Sequence, residues 1–235
     1  MKRFLILICA LVLTVSAAPH CSADLIPLTV DTTNSFLNLS IAGQPAQQSQ
    51  ASGTATIDLS AHSATSGNAQ LTTLDLTLDD QLTFTNIPIT VGGFITVNAT
   101  ASTTGGDLTV SLLAPGAPGA ITGGTFDQLA NQVGFTGDVT VSAPLVAPMV
   151  FDLSTVTAPP VDFISVNITQ SGSVITVTGD FEVSAAPVVA GNVIAIEGEG
   201  QFVATGILEP KPTPEPGSTM VLIGMASVLF ARRRR

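Results

Sequence analysis

Short runs of alternating apolar and polar residues recur along most of this chain. In "TATIDLSA" the side chains of Ala55, Ile57 and Leu59 would share one face of an extended segment. Alternation with a period of two is the pattern of a half-buried β-strand. About twelve segments follow it, among them "LTTLDLTLDDQLTF", "ITVNAT", "DLTVSLL", "DVTVSA", "ISVNIT", "SVITVTGDFEVSA" and "VIAIEGEGQFVATG".

Turn-forming residues separate these runs. Glycine-containing dipeptides of the kind that reverse a strand lie between them, at Gly92-Gly93, Gly105-Gly106, Gly123-Gly124, Ser171-Gly172 and Gly191-Asn192. Many short strands with regular turns predict an all-β, antiparallel sandwich or barrel of about twelve strands. We assign this domain to residues 24–208. Within it, the segment from Thr125 to Phe135 is compatible with a short helix.

The N-terminus has the pattern of a secretory signal peptide. A short basic start is followed by an apolar run from Phe4 to Val15, which is too short for an ordinary membrane span. Small residues then suit signal peptidase, and a cut after Ala23 gives a signal peptide of residues 1–23. A cut after Ala17 or Ala18 is the alternative. The sequence therefore predicts export.

Charge and cysteine content exclude several functions. Both cysteines, Cys9 and Cys21, leave with the signal peptide, so no disulfide, thiol nucleophile or cysteine metal site is expected. A chain cut to residues 24–216 carries 17 acidic residues against Lys211, a net charge of −16. Such a chain is not expected to bind nucleic acid or anionic membranes, because both require positive charge.

The C-terminus combines a stiff stalk with a short apolar helix. Residues 209–216, "EPKPTPEP", have proline at every second position, which favours an extended polyproline conformation. Residues 217–235 follow as a predicted membrane helix and arginine cluster. Its uncharged part, Gly217 to Ala231, would span about 22 Å as a helix. The arginines are expected to mark the cytoplasmic end.

This tail resembles a PEP-CTERM sorting signal. The tripeptide is Pro214, Glu215 and Pro216, and the orienting arginines are Arg232, Arg233, Arg234 and Arg235. The resemblance implies recognition by an exosortase-type enzyme, transient insertion into the inner membrane and delivery to the cell envelope, the outer surface or the medium. It also implies an association with exopolysaccharide and biofilm, with surface polysaccharide or other matrix proteins as partners. Gly217, where many members have Ser or Ala, leaves the cleavage position open.

A small Gly-Asp motif recurs within the domain. It begins at Gly106, Gly137 and Gly179, and each copy continues to a Val-Ser pair and a proline. The expected role is local: glycine turns the chain, aspartate caps the turn, and valine packs inward. No cofactor is expected, and calcium is the alternative because carboxylates are its preferred ligands. The weak calcium candidates are Asp107, Asp138, Asp180, Glu182, Glu197 and Glu199.

The sequence offers few residues that could form a catalytic site. His62 is the one histidine left after removal of the signal peptide, and no nucleophile-elbow motif is present. We expect His62 to be a solvated loop residue and the protein to be non-enzymatic. The chain has no Trp or Tyr, the rings on which sugars usually stack. Two alternatives remain: a lipid-carrying or adhesive binding module, and a hydrolase with two close carboxylates in a cleft.

Overall fold

The computed structural model describes residues 24–144, 146–189 and 191–210. The predicted signal peptide, most of the stalk and the sorting helix lie outside the described residues. The described chain forms sixteen strands and one 3-10 turn, Leu153–Thr155. The strands are β1 Asp24–Val30, β2 Phe36–Ile41, β3 Gln47–Leu59, β4 Asn68–Leu78, β5 Thr83–Val91, β6 Ile95–Thr103, β7 Thr109–Ala114, β8 Gly119–Ala120, β9 Thr125–Thr136, β10 Asp138–Ala143, β11 Val146–Asp152, β12 Val161–Ser171, β13 Val174–Ala185, β14 Val188–Val189, β15 Asn192–Val193 and β16 Ile196–Ile207.

Most of the strands close into an antiparallel barrel with eight strand positions. Seven positions are β3, β4, β7, β9, β12, β13 and β16 in that order. β1 and β2 share the eighth, because both pair with β3 on one side and with β16 on the other. The alternation therefore predicted the all-β fold class correctly. Because β1 and β2 connect β3 to β16, the sheet is a closed barrel. Three of the sixteen strands have only two residues, which accounts for most of the excess over twelve.

Inward-facing side chains fill the barrel. Ala55, Ile57 and Leu59 are all buried, as their alternation predicts. Deeper in the core, the rings of Phe163 and Phe202 meet edge to face with centroids 6.3 Å apart. A barrel of eight strands is just wide enough for its interior to be filled in this way.

A second sheet, in the order β11-β10-β6-β5, packs over the barrel. Its apolar face includes Ile87 and Val141, which meet Ile41 and Ile196 from β2 and β16. The apolar cavity left between the two layers has a volume of only about 30 Å³. The layers are thus closely packed, and burial of these residues stabilises the second sheet against the barrel.

The segment from Thr125 to Phe135 is a strand, so the expected helix is wrong. Ala130 adopts a positive φ of 60°, and the pairing of β9 with β12 shifts register at this point. The extra residue of this β-bulge turns one inward spacing from two into three, which imitates a helical pattern. The buried residues are Phe126, Gln128, Asn131, Val133 and Phe135.

No helix among the described residues has the length and apolar character needed to cross a bilayer. The predicted membrane helix at residues 217–235 lies outside the described residues.

Candidate binding groove

The barrel wall opens between β12 and β13. These strands pair from Asn167 with Thr178 to Ser171 with Val174. Within the described chain, no ladder pair joins residues 161–166 to residues 179–185. Each strand keeps its partner on the other side, β9 for β12 and β16 for β13. Both strands therefore present one backbone edge to the gap between them.

Two opposed bulges position this part of β12. Ser165 has a positive φ of 55°, and Ala130 on the neighbouring β9 has one of 60°. Each bulge is held by a carboxylate from the other strand. Asp127 Oδ1 accepts a hydrogen bond of 2.7 Å from the Ser165 amide, and Asp162 Oδ1 accepts one of 2.7 Å from the Ala130 amide. Since bulges bend a strand and interrupt its ladder, this pair accounts for the separation of β12 from β13.

The gap opens into a groove of about 1050 Å³ on the outside of the barrel, whose lining continues across β13 to β16 and β2. Its lining includes the buried apolar residues Val161, Phe181 and Val183. Behind them, Phe181 and Phe163 meet edge to face with centroids 6.4 Å apart. The aromatic contact joins the two strands where their backbones do not pair. The groove thus has an apolar floor and does not pierce the barrel.

Five exposed carboxylates border the groove, namely Asp162, Asp180, Glu182, Glu197 and Glu199. Glu182 lies directly opposite Glu199 in the β13–β16 register. Like charges in directly opposite positions destabilise a sheet. The sequence has no Lys or Arg between Arg3 and Lys211, so the domain itself supplies no cationic side chain to offset them.

The structure brings four of the six calcium candidates to this groove: Asp180, Glu182, Glu197 and Glu199. Asp107 and Asp138 lie elsewhere. There Asp107 Oδ2 accepts a hydrogen bond of 3.1 Å from the Asp138 amide, so one aspartate caps the next copy of its own motif. Among the described residues, no three His, Cys, Asp or Glu side chains are grouped so that they could hold a metal ion. Calcium binding stays a prediction.

The three Gly-Asp copies share only part of their expected geometry. Their valines, Val110, Val141 and Val183, are all buried, as predicted. Gly106 and Gly137 have positive φ angles of 78° and 110°. Gly179 instead lies within β13, where an added Cβ would approach the Phe202 ring to 2.6 Å. The third glycine is thus required for packing in the core.

His62 lies in the loop after β3, as expected, but it is partly buried. Its Nδ1 contacts the Asp24 carboxylate, the first residue of β1. This pair connects the loop to the start of the domain and lies outside the groove lining.

Sequence reasoning missed Asp162 and the gap itself. Alternation assigns residues to the two faces of a strand, but it carries no information about which strands pair along their whole length. One signal was available, since Pro159 and Pro160 immediately precede β12. Proline is confined to strand starts, edges and bulges, so these residues mark a place where pairing is interrupted.

Comparison with known proteins identifies the C-terminus. The family model of the PEP-CTERM protein-sorting motif matches residues 212–235 and confirms the resemblance of the tail. This signal implies export, sorting to the cell envelope and processing by exosortase. Neither the curated proteins nor the solved structures gave a match to the chain.

Proposed function

We propose that this protein is a non-enzymatic component of the cell surface or extracellular matrix that binds other matrix material through its acidic groove. The sorting signal directs the chain to the envelope. The observation that supports binding is the open groove of about 1050 Å³, bordered by five carboxylates on a closed barrel. Concave surfaces with a few polar groups over an apolar floor are the usual form of a binding site.

The packing of the core argues against lipid carriage. The apolar cavities beneath the second sheet have volumes of only about 30 and 10 Å³. Ligand pockets for small molecules are usually about 300–1,000 Å³. An adhesive role is therefore favoured over that of a carrier.

The lining of the groove favours a cationic partner over a neutral polysaccharide. The aromatic rings in the lining are Phe36 and Phe181, and Phe181 is buried in the floor. Neutral sugars usually need exposed aromatic faces on which to stack. Carboxylates instead favour basic groups by electrostatic complementarity. In a biofilm or exopolysaccharide layer, basic matrix proteins and amino-bearing polymers provide such groups.

A second candidate function is hydrolysis by a carboxylate pair. Glu182 and Glu199 are opposite in register, so their Cβ atoms are expected about 4.5–5.5 Å apart. Retaining glycosidases place two carboxyl groups about 5–5.5 Å apart. Both glutamates are exposed, however, whereas a general acid needs a desolvated carboxyl group. Hydrolysis of a surface glycan by the native protein, abolished in both Glu182→Gln and Glu199→Gln, would establish this candidate and overturn the non-enzymatic one.

The proposed role is tested by following the native protein through cell fractions. We expect mass spectrometry to find an N-terminus at Asp24 and a C-terminus without the arginine cluster, in the surface or matrix fraction. Deletion of residues 212–235 should remove the protein from that fraction. A full chain with its arginines intact, held stably in the inner membrane, would contradict the proposal.

A further inference from the structure

We propose that the gap between β12 and β13 binds an extended, basic polypeptide segment, which adds as a strand to the free edge of β13. This inference rests on the proposed binding function and names the class of partner. It follows from two independent features, the unpaired strand edge and the charge around it.

The free edge offers a template for main-chain hydrogen bonds. Residues 179–185 pair with β16 on one side and lack a strand partner on the other. At about 3.3 Å per residue they span about 23 Å, enough for a six- or seven-residue segment. An extended peptide that joins such an edge gains backbone hydrogen bonds, and its alternate side chains enter pockets. The apolar floor at Val161, Phe181 and Val183 can receive those side chains.

The edge of β5 is covered by side chains, unlike the edge of β13. On β5, the Thr83 amide donates a 2.9 Å hydrogen bond to Gln47 Oε1. Farther along, the Thr90 amide donates to Asn192 Oδ1 at 3.2 Å, and Asn192 Nδ2 donates to the Thr90 carbonyl at 3.1 Å. These carboxamides satisfy backbone groups that would otherwise accept another strand. Among the described hydrogen bonds, none gives residues 179–185 such a cover on the β12 side.

The surrounding charge selects the occupant. The five carboxylates of the groove favour a strand that carries Lys or Arg. A second copy of this chain is disfavoured, because residues 24–210 contain no Lys or Arg and the two acidic domains would repel each other. The groove thus combines an adhesive edge with a charge that prevents self-association.

Binding can be measured on the purified full chain with a synthetic peptide of alternating lysine and valine. Two control peptides are needed: one with alternating glutamate and valine, and one lysine–valine peptide that is N-methylated at every backbone amide, so that neither of its edges can donate hydrogen bonds. We expect the lysine–valine peptide alone to bind, with an affinity that falls as salt is added. Hydrogen exchange should show new protection of the amides in residues 179–185 that point towards β12, because the alternate amides already pair with β16.

A matched pair of double variants tests the site. Glu182→Gln with Glu199→Gln removes two charges from the groove, and Asp75→Asn with Glu209→Gln removes two exposed charges outside its lining. The first should weaken peptide binding about tenfold or more at low salt, whereas the second should change it little. Equal effects of the two would overturn the proposal, because they would reflect net charge alone.

Other occupants give distinct results. Binding of the N-methylated peptide with unchanged affinity, or binding without protection of residues 179–185, would rule out strand addition. A rise in melting temperature with calcium chloride alone, lost in the groove variant, would assign the groove to a cation instead. Concentration-dependent dimerisation blocked by the peptide would assign it to a second copy. If no peptide binds while the protein still localises to the matrix without hydrolytic activity, this inference fails and the proposed function stands.

Discussion

At two places in the barrel wall, neighbouring strands are not joined by a ladder. A side chain bridges the strands at one of them, and the strand edge stays open at the other. Beyond the end of β7, β4 and β9 face each other without a ladder, and the Gln128 side chain bridges them. Its Oε1 accepts from the Leu71 amide at 2.6 Å, and its Nε2 donates to the Leu71 carbonyl at 2.9 Å. The carboxamide thus makes both hydrogen bonds of a strand residue. Between β12 and β13 the aromatic contact of Phe163 with Phe181 closes the floor, and the strand edge stays open.

The difference follows from the environment of each gap. Gln128 and Asn131 are completely buried, so an unpaired backbone group there would lose water without compensation. Asn131 completes the network, with its Oδ1 accepting from Gln128 Nε2 at 2.7 Å and from the Gly116 amide at 2.8 Å. At the β12–β13 gap, exposed carboxylates border the open edge and the groove admits water. A strand edge of the barrel can therefore stay open only where water or a partner can form hydrogen bonds with its backbone groups.

The largest effect is expected from Gln128→Leu. The substitution leaves the Leu71 amide and carbonyl without partners in the core and removes one of the two hydrogen bonds to Asn131 Oδ1. Each such loss costs about 1–3 kcal/mol, so we expect a loss of about 3–5 kcal/mol in the free energy of unfolding. Urea unfolding measures it. Gln132→Leu is the matched control, since Gln132 lies on the same strand and faces outward, and should change stability by less than about 0.5 kcal/mol. Similar losses in the two variants would contradict the bridging role.

A third, shorter break lies between β1 and β2, which share one position of the barrel wall. A smaller side chain closes it, and its removal should have an intermediate effect on stability. Ser35 is buried, and its Oγ accepts from the Val203 amide at 2.9 Å. Ser35→Ala leaves that amide unpaired and should cost about 1–2 kcal/mol in thermal unfolding. Ser171→Ala, at the exposed end of β12, is the control and should be close to neutral. A neutral Ser35→Ala would show that water replaces the hydroxyl.

At the open gap, a substitution should stabilise the protein. Glu199→Gln removes a like-charge pair with Glu182, and we expect a gain of about 0.2–1 kcal/mol at low salt. The gain should shrink as salt is added, because exposed charges are screened. Glu209→Gln, outside the groove lining, controls for net charge. A loss of stability in Glu199→Gln at low salt would mean that the carboxylate holds the fold together.

The smallest effect is a change in acid stability at the β1–β2 break. The Asn34 side chain and then the Thr33 amide donate to the Asp31 carboxylate and hold its pKa below the ordinary value of 3.8. A lowered pKa stabilises the folded state above the ordinary value, and the contribution disappears as pH falls through the folded pKa. Asp31→Asn and Asn34→Ala should therefore both flatten the fall of melting temperature below about pH 4. An unchanged profile in both would show that these hydrogen bonds do not persist in solution.

Much of the fold could be predicted because alternation and turn residues act locally. Ala55, Ile57 and Leu59 are buried as their spacing indicates, and the all-β class follows from many such runs. The same reasoning wrongly allowed a helix at residues 125–135, because the extra residue of the bulge at Ala130 changes the apparent spacing of inward-facing residues. The acidic residues of the groove were identified by type, but Asp162 was missed. Their grouping depends on the register of β13 with β16, which composition cannot supply.

The sequence by itself determined that this protein is exported and that its tail is a sorting signal. Such signals are read as short linear segments, so no tertiary contact is needed to recognise residues 212–235. It also determined the β class and the acidity of the domain. Only the tertiary structure decided that the barrel closes, that Gln128 bridges one gap, and that an acidic edge stays open at another. These features arise from strand pairs distant in sequence, whose register is set by packing of the whole core.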